Sequence, residues 1–110
     1  MVTVANISFY KGEDVTLTVT MSPATNITGW NLQFTVRKSF GDATALITKS
    51  SGAGITITDA TNGVFTVTVA SADSTGLDLR AYVFDIQRTD SGHRTVLTIG
   101  NLTLLPEVTL

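Results

Sequence analysis

The sequence predicts an all-β domain, an antiparallel β-sandwich of the immunoglobulin or fibronectin type III kind with about seven or eight strands. Two observations support this prediction. Apolar and polar residues alternate with a period of two in several short segments, and turn residues separate these segments at intervals of about 8 to 12 residues. No segment shows the 3.6-residue period of an amphipathic helix. The phase of the alternation changes at two places, as it does at the corners of a barrel, so a small β-barrel is the alternative.

Length and composition narrow the class of protein. A chain of 110 residues is expected to form one domain, residues 1–110, with a buried core and extended apolar termini. The absence of cysteine excludes disulfides and thiolate metal sites. The net charge of −2 and the scattered basic residues argue against a nucleic-acid partner. No apolar run reaches about 20 residues, so we expect a chain made soluble in the cytoplasm, without membrane association.

The first third of the chain contains the clearest strand patterns. Val2 to Phe9 is predicted as a strand with a bulge near Ala5-Asn6, where the apolar phase changes. Val15 to Met21 alternates regularly between apolar residues and threonine. The following strand is expected to place four apolar side chains at the centre of the core, namely Trp30, Leu32, Phe34 and Val36.

The middle of the chain predicts short elements separated by turns. Lys38 to Thr44 is a polar loop, and Ala45 to Lys49 is a short strand expected at a sheet edge. Ser50 to Gly54 is predicted as a flexible link, and Val64 to Val69 is a further strand with alternate residues pointing inward. Ser71 to Gly76 offers a serine cap and a glycine stop, enough for one helical turn.

The last third, Arg80 to Leu110, predicts a long β-hairpin. Tyr82 to Gln87 alternates with a period of two, and Thr89 to Arg94 supplies the polar turn with a glycine that tolerates positive φ. The apolar phase of the second strand changes near Gly100-Asn101. A glycine at such a point predicts a bulge.

Catalytic residues are not predicted. His93 lies next to Asp90 and Ser91, but a solvent-exposed turn accounts for all three, and neighbouring turn residues do not supply the geometry of a triad. Glu13 and Asp14 are adjacent and would face opposite sides of a strand, which does not fit a glycosidase pair. We therefore expect a protein that is not an enzyme and needs no cofactor.

Metal binding is a minor alternative. Asp42, Asp59, Asp73 and Asp78 are loop acids of the type that calcium uses, but none lies in a calcium-loop spacing. Acids in turns usually accept hydrogen bonds from nearby backbone N–H groups, and this is the expected role.

Asp85 lies in the middle of a predicted strand, between Phe84 and Ile86. Strand alternation predicts an acid that faces outward on a half-exposed sheet. The alternative is a cross-strand ion pair that fixes the register, with an arginine as the partner. The candidate partners are Arg37, Arg80 and Arg88.

Several apolar residues fall outside the inward-facing set or in the apolar termini. Such residues are expected to bind another subunit, for example by adding to its sheet edge, or else to complete the protein's own sheets. The predicted interface residues are Val2, Val4, Val64, Leu79, Val83, Leu105, Val108 and Leu110.

The segments Tyr82 to Gly92, Thr95 to Leu104 and Pro106 to Thr109 together resemble small immunoglobulin-like modules of phage and prophage structural proteins. The pattern is an aromatic-x-aromatic-Asp strand, a polar glycine turn, and a strand with a central glycine that ends near a proline. It is similar to the N-terminal domain of siphophage baseplate upper proteins. Trp30 to Arg37 and Gly54 to Asp59 match in kind.

The resemblance implies a virion structural protein that binds other virion proteins, capsid or baseplate subunits, and forms homo-oligomers. Baseplate relatives continue into a helical stalk, whereas this sequence ends at Leu110, so a capsid decoration or cement protein, or an accessory attachment protein, is expected. The alternatives are a baseplate or tail-fibre component and a carbohydrate-binding module. The last would need aromatic platforms, for which Tyr10, Phe40 and Trp30 are the candidates.

Overall fold

The computed structural model describes residues 6–90, 92 and 94–106. Eight strands in this part of the chain form one mixed sheet that curves until it is nearly closed like a barrel. The predicted all-β class and strand number are confirmed, and the barrel alternative describes the closure of the sheet. The strands are β1 (Asn6–Tyr10), β2 (Val15–Thr20), β3 (Leu32–Arg37), β4 (Ile47–Ser51), β5 (Gly54–Asp59), β6 (Val64–Val69), β7 (Ala81–Arg88) and β8 (Thr95–Leu105).

The order of strands in the sheet is β1-β8-β7-β3-β4-β5-β6-β2. Two pairings, β1 with β8 and β4 with β5, are parallel, so the sheet is mixed where the sequence predicted antiparallel pairing throughout. The β4–β5 pairing is a tight corner in which the backbone groups of Ser50 and Ala53 exchange hydrogen bonds of 3.1 and 2.8 Å. The predicted flexible link is therefore a hydrogen-bonded corner, and β4 lies inside the strand order, not at an edge.

The core fills the space enclosed by the curved sheet. Leu32, Phe34 and Val36 of β3 are 0% exposed, as predicted. The rings of Phe34 and Phe84 lie 5.5 Å apart between centroids and are tilted by 38°. Burial of each ring contributes roughly 1.5–3 kcal/mol to stability. The remaining members of the core are Ile7, Phe9, Val19, Met21, Ile27, Ile47, Ile55, Phe65, Val67, Val69, Tyr82, Ile86, Leu102 and Leu104.

Trp30 differs from its predicted place at the centre of the core. It precedes β3 and is only partly buried against the core. The guanidinium carbon of Arg88 lies 4.1 Å from the centroid of the indole ring, which is cation–π geometry. The tryptophan therefore covers the rim of the core and holds an arginine on its outer side.

The pairing of β7 with β8 shifts by one residue. Ile86 is opposite Thr98, whereas Gln87 is opposite Val96, so Leu97 is an extra residue in β8. Gly100 pairs in regular register with Phe84, so the prediction of a bulge at Gly100-Asn101 is wrong, and the bulge lies nearer the start of the strand. Because one inserted residue exchanges the two faces of a strand, the bulge explains the observed change of apolar phase.

The start of β7 is fixed by a tyrosine hydroxyl. The hydroxyl of Tyr82 donates a hydrogen bond of 2.7 Å to the carbonyl of Asp78, four residues earlier. Immunoglobulin-like domains use a tyrosine in the same way where the chain enters the corresponding strand. Burial, and next the charge of Asp78, raise the pKa of the Tyr82 hydroxyl. The protonated hydroxyl is thus kept as a donor.

The described residues contain one helix, α1 (Ser71–Ser74), a single turn as predicted. Its cap differs from the prediction, because Ala70 occupies the cap position and the Asp73 carboxylate accepts a 2.7 Å hydrogen bond from the Ala70 N–H. Asp73 also pairs with Lys49 of β4 at 2.8 Å. The turn is joined to the β1–β2 connection by the Gly12 N–H, which donates to the buried Ser74 Oγ at 2.8 Å.

We expect Gly63→Ala to be far more destabilising than Gly41→Ala. Both glycines have positive φ, +73° and +84°. A Cβ at Gly63 would lie 2.6 Å from the Thr25 carbonyl oxygen and 2.8 Å from the Met21 side chain, whereas a Cβ at Gly41 would meet nothing within 4 Å. The left-handed conformation alone costs about 1–2 kcal/mol in either variant. Urea denaturation measures both, and equal losses would contradict a steric requirement at Gly63.

Candidate functional site

The outward face of β3, β7 and β8 carries exposed apolar side chains around a carboxylate. The cross-strand register places Asp85 of β7 between Thr35 of β3 and Ile99 of β8. Ile99 is 52% exposed, and Phe40 in the β3–β4 loop is 69% exposed. A depression of about 340 Å³ lies on this face, and we call it the outer groove. Its lining consists of Thr35, Arg37, Ser39, Phe40, Gly41, Asp42, Val83, Phe84, Asp85, Arg94 and Ile99.

Local structure explains why these apolar residues point outward. The bulge at Leu97 turns Leu97 toward the core and Ile99 toward solvent. Phe40 lies in a turn closed by a hydrogen bond of 3.1 Å from the Asp42 N–H to the Ser39 carbonyl. The Asp42 carboxylate accepts a further bond of 2.9 Å from the Thr44 N–H. The loop thus has a defined shape and holds its aromatic ring beside the groove.

Asp85 has one oxygen with a partner and one without. Its Oδ2 accepts a hydrogen bond of 2.8 Å from Gln87 Nε2. Its Oδ1 is buried and accepts no hydrogen bond from any residue that the structure describes. A buried acceptor without a donor costs about 1–3 kcal/mol. The Asp85 carboxylate is therefore only half satisfied by the described residues.

The expected outward orientation of Asp85 is found, whereas the alternative of a cross-strand ion pair is not seen among the described residues. Arg88 pairs with Asp90, and Arg80 donates to the backbone carbonyls of Ala81 and Lys38. Arg37 lines the same groove as Asp85 but forms no ion pair within the described part of the chain.

A second apolar surface lies near the shared end of β1 and β8. Tyr10 of β1 is opposite Leu105 of β8 and is 49% exposed. The Leu104 N–H donates to the Arg80 carbonyl at 3.1 Å, which brings the adjacent Leu79, 51% exposed, to the end of β8. We call Tyr10, Leu79 and Leu105 the edge cluster, because β1 is the first strand of the sheet.

The residues predicted as an interface do not form one surface. Leu79 and Leu105 belong to the edge cluster and Val83 lines the outer groove, whereas Val64 begins β6 in the other half of the strand order. Sequence reasoning missed Ile99, and it named Phe40 only as a candidate platform for a carbohydrate. The four remaining predicted residues lie outside the described part of the chain, namely Val2, Val4, Val108 and Leu110.

Asp90, in the turn that joins β7 to β8, has a structural role. Arg88 donates to both carboxylate oxygens of Asp90, at 2.7 and 2.9 Å, while its guanidinium stacks on Trp30. The hydrogen bonds from Arg88 lower the pKa of Asp90 to about 2. Ser91 and His93, the other members of the trio considered for catalysis, lie outside the described residues.

Three of the four acids considered for calcium accept hydrogen bonds from nearby backbone N–H groups, as expected for turns. Asp42 accepts from Thr44, Asp59 from both the N–H and the side-chain amide of Asn62, and Asp73 from Ala70. Within residues 6–90, 92 and 94–106, no three His, Cys, Asp or Glu side chains are grouped so as to hold a metal ion.

Comparisons with family models and with curated proteins assign no family or function to this chain. No model of a known protein family matches the sequence, and no curated protein matches it significantly. The short helix is not a membrane span, and no other helix in the described part of the chain is long and apolar enough to be one.

We expect the Asp90 pair to stabilise the fold above about pH 4 and to stop doing so as the pH falls. The folded pKa of about 2 lies below the ordinary value of 3.8, so the ionised form favours the folded state. The difference in unfolding free energy between the wild type and Asp90→Asn should therefore shrink between pH 3.8 and about 2. Urea midpoints measure this difference, and NMR titration of the carboxyl gives the pKa directly. A titration midpoint near 3.8 would contradict the pairing.

Proposed function

We propose that the chain is a non-enzymatic structural protein of a phage virion, a capsid decoration or cement protein or an accessory attachment protein that binds neighbouring virion proteins. The edge cluster is the observation that carries the proposal of a binding role. The phage context rests on the resemblance of the strand and turn sequences from Tyr82 onward to virion modules.

The position of the edge cluster favours a protein partner. Tyr10 and Leu105 lie opposite each other on β1 and β8, with Leu79 close to the end of β8. The outermost of these strands, β1, pairs within the described residues with β8 alone. A partner strand could add to β1 through main-chain hydrogen bonds while its side chains cover the apolar residues. Backbone pairing supplies affinity in this mode, and the side chains supply specificity.

The use of polar side chains is consistent with a structural role. Arg88 and Asp90 are engaged with each other and with Trp30, and Lys49 and Asp73 join β4 to α1. These charged groups fix loops relative to the sheet.

A carbohydrate-binding role has weaker support. Arg88 covers one face of Trp30, which removes that face as a stacking platform for a sugar ring. The other two aromatic candidates, Tyr10 and Phe40, lie on separate surfaces and do not form a common platform.

We expect the protein in purified mature particles of the phage that encodes it, as measured by quantitative mass spectrometry. The double variant Tyr10→Ser, Leu79→Ser changes two exposed side chains, so it should keep its fold yet be incorporated roughly tenfold less, because it loses the apolar contacts of the edge cluster. Thr18→Ala, on the exposed face of β2, is the matched control and should be incorporated normally.

Two outcomes would refute the proposal. One is absence of the wild-type protein from mature particles. The other is normal incorporation of the double variant, which would remove the edge cluster from the binding surface. Labelling of the protein in electron micrographs separates a capsid position from the baseplate or tail-fibre alternative.

A further inference from the structure

We propose that the outer groove binds a second copy of this chain, giving a dimer with two-fold symmetry in which Arg37 of each copy binds Asp85 of the other. This inference concerns a different surface from the edge cluster and does not depend on a role in a virion.

The outer groove carries both halves of an ion pair without joining them. Asp42 and Asp85 supply two negative charges, and Arg37 and Arg94 supply two positive charges. Neither arginine forms an ion pair with a described residue. The surface is therefore neutral as a whole but has separated charges of both signs, and this favours a partner that presents the same pattern in reverse.

A two-fold axis supplies such a partner. In a symmetric dimer, residue i of one copy contacts residue j of the other, and j contacts i in return. When two copies face each other about an axis that crosses midway between Arg37 and Asp85, each arginine comes to the opposite carboxylate. Both pairs form at once, and each is a charge-assisted contact between a guanidinium and a carboxylate.

Apolar contacts surround the charges. Phe40 and Ile99 line the same groove and are largely exposed. The depression of about 340 Å³ has room for a phenyl ring from the second copy. Aromatic residues and arginine are enriched at protein interfaces, and residues near the centre of an interface contribute most of the binding energy.

The size of the face sets the expected affinity. A patch about three strands wide and about six residues long, with strands about 4.8 Å apart and residues about 3.3 Å apart, presents roughly 300 Å² per copy. Two such faces bury roughly 600 Å², which is below the range of stable specific interfaces. The dimer should therefore be weak and visible only at high protein concentration.

Exchanging the charges tests the pairing of Arg37 with Asp85. Restored association in a mixture of the two variants shows that neither variant lost association through misfolding. Sedimentation equilibrium of the wild type up to about 1 mM should show a monomer–dimer equilibrium. Asp85→Arg and Arg37→Asp should each weaken self-association by roughly 100-fold, because like charges then meet at both pairs. An equimolar mixture of the two variants should restore association, since one variant then carries arginine at both positions and the other carries aspartate at both. Asp59→Arg, at the end of β5 and outside the lining of the groove, is the control and should dimerise like the wild type.

The proposal is overturned if the wild type remains monomeric at about 1 mM. It is also overturned if the single variants dimerise normally, or if the wild type dimerises while the mixture of variants does not. Loss of virion incorporation in the edge-cluster variant has no bearing on these measurements, so the two proposals fail separately.

Discussion

The pairing of β7 with β8 determines which side chains of β8 face the core and which face outward. Strand side chains alternate between faces, so a single inserted residue exchanges the faces of everything beyond it. Leu97 is that residue. With it in place, Leu102 and Leu104 close the core while Ile99 is left on the outside. The outer groove thus depends on backbone register, because a shift of this part of β8 by one residue would turn Ile99 toward the core.

The sequence predicted the fold class because alternation is a local property. Val19, Phe34, Val67 and Phe84 are all buried, as their spacing indicates. Long-range pairing is less accessible. The parallel pairing of β1 with β8 and the inner position of β4 depend on which strands meet in space, and no local pattern encodes that. The bulge was detected as a change of phase but placed at Gly100, because glycine is a common bulge residue and the alternation alone does not say which residue is extra.

The candidate surfaces were predictable only in part. Leu79, Val83 and Leu105 were recognised because their apolar character conflicts with their phase. Phe40 was considered only as a carbohydrate platform, and Ile99 was not recognised. Trp30 was assigned to the core because its spacing matches β3, but the strand begins two residues later, and Arg88 covers the indole from outside. Propensity and spacing identify candidates for burial. Whether a candidate at the end of such a pattern is buried depends on whether the strand includes it, and β3 does not include Trp30.

The neighbouring positions of β1 and β8 have a consequence for synthesis. Asn6 pairs with Asn101, and Tyr10 with Leu105, so β1 has no partner among the described strands until β8 has been synthesised. β8 lies between β1 and β7 in the sheet and joins them. Contacts of such long sequence separation fold slowly, on a scale of about milliseconds to seconds. Until β8 is made, the nascent chain therefore lacks the strand that joins β1 to the sheet, and the same strand contributes Leu102 and Leu104 to the core.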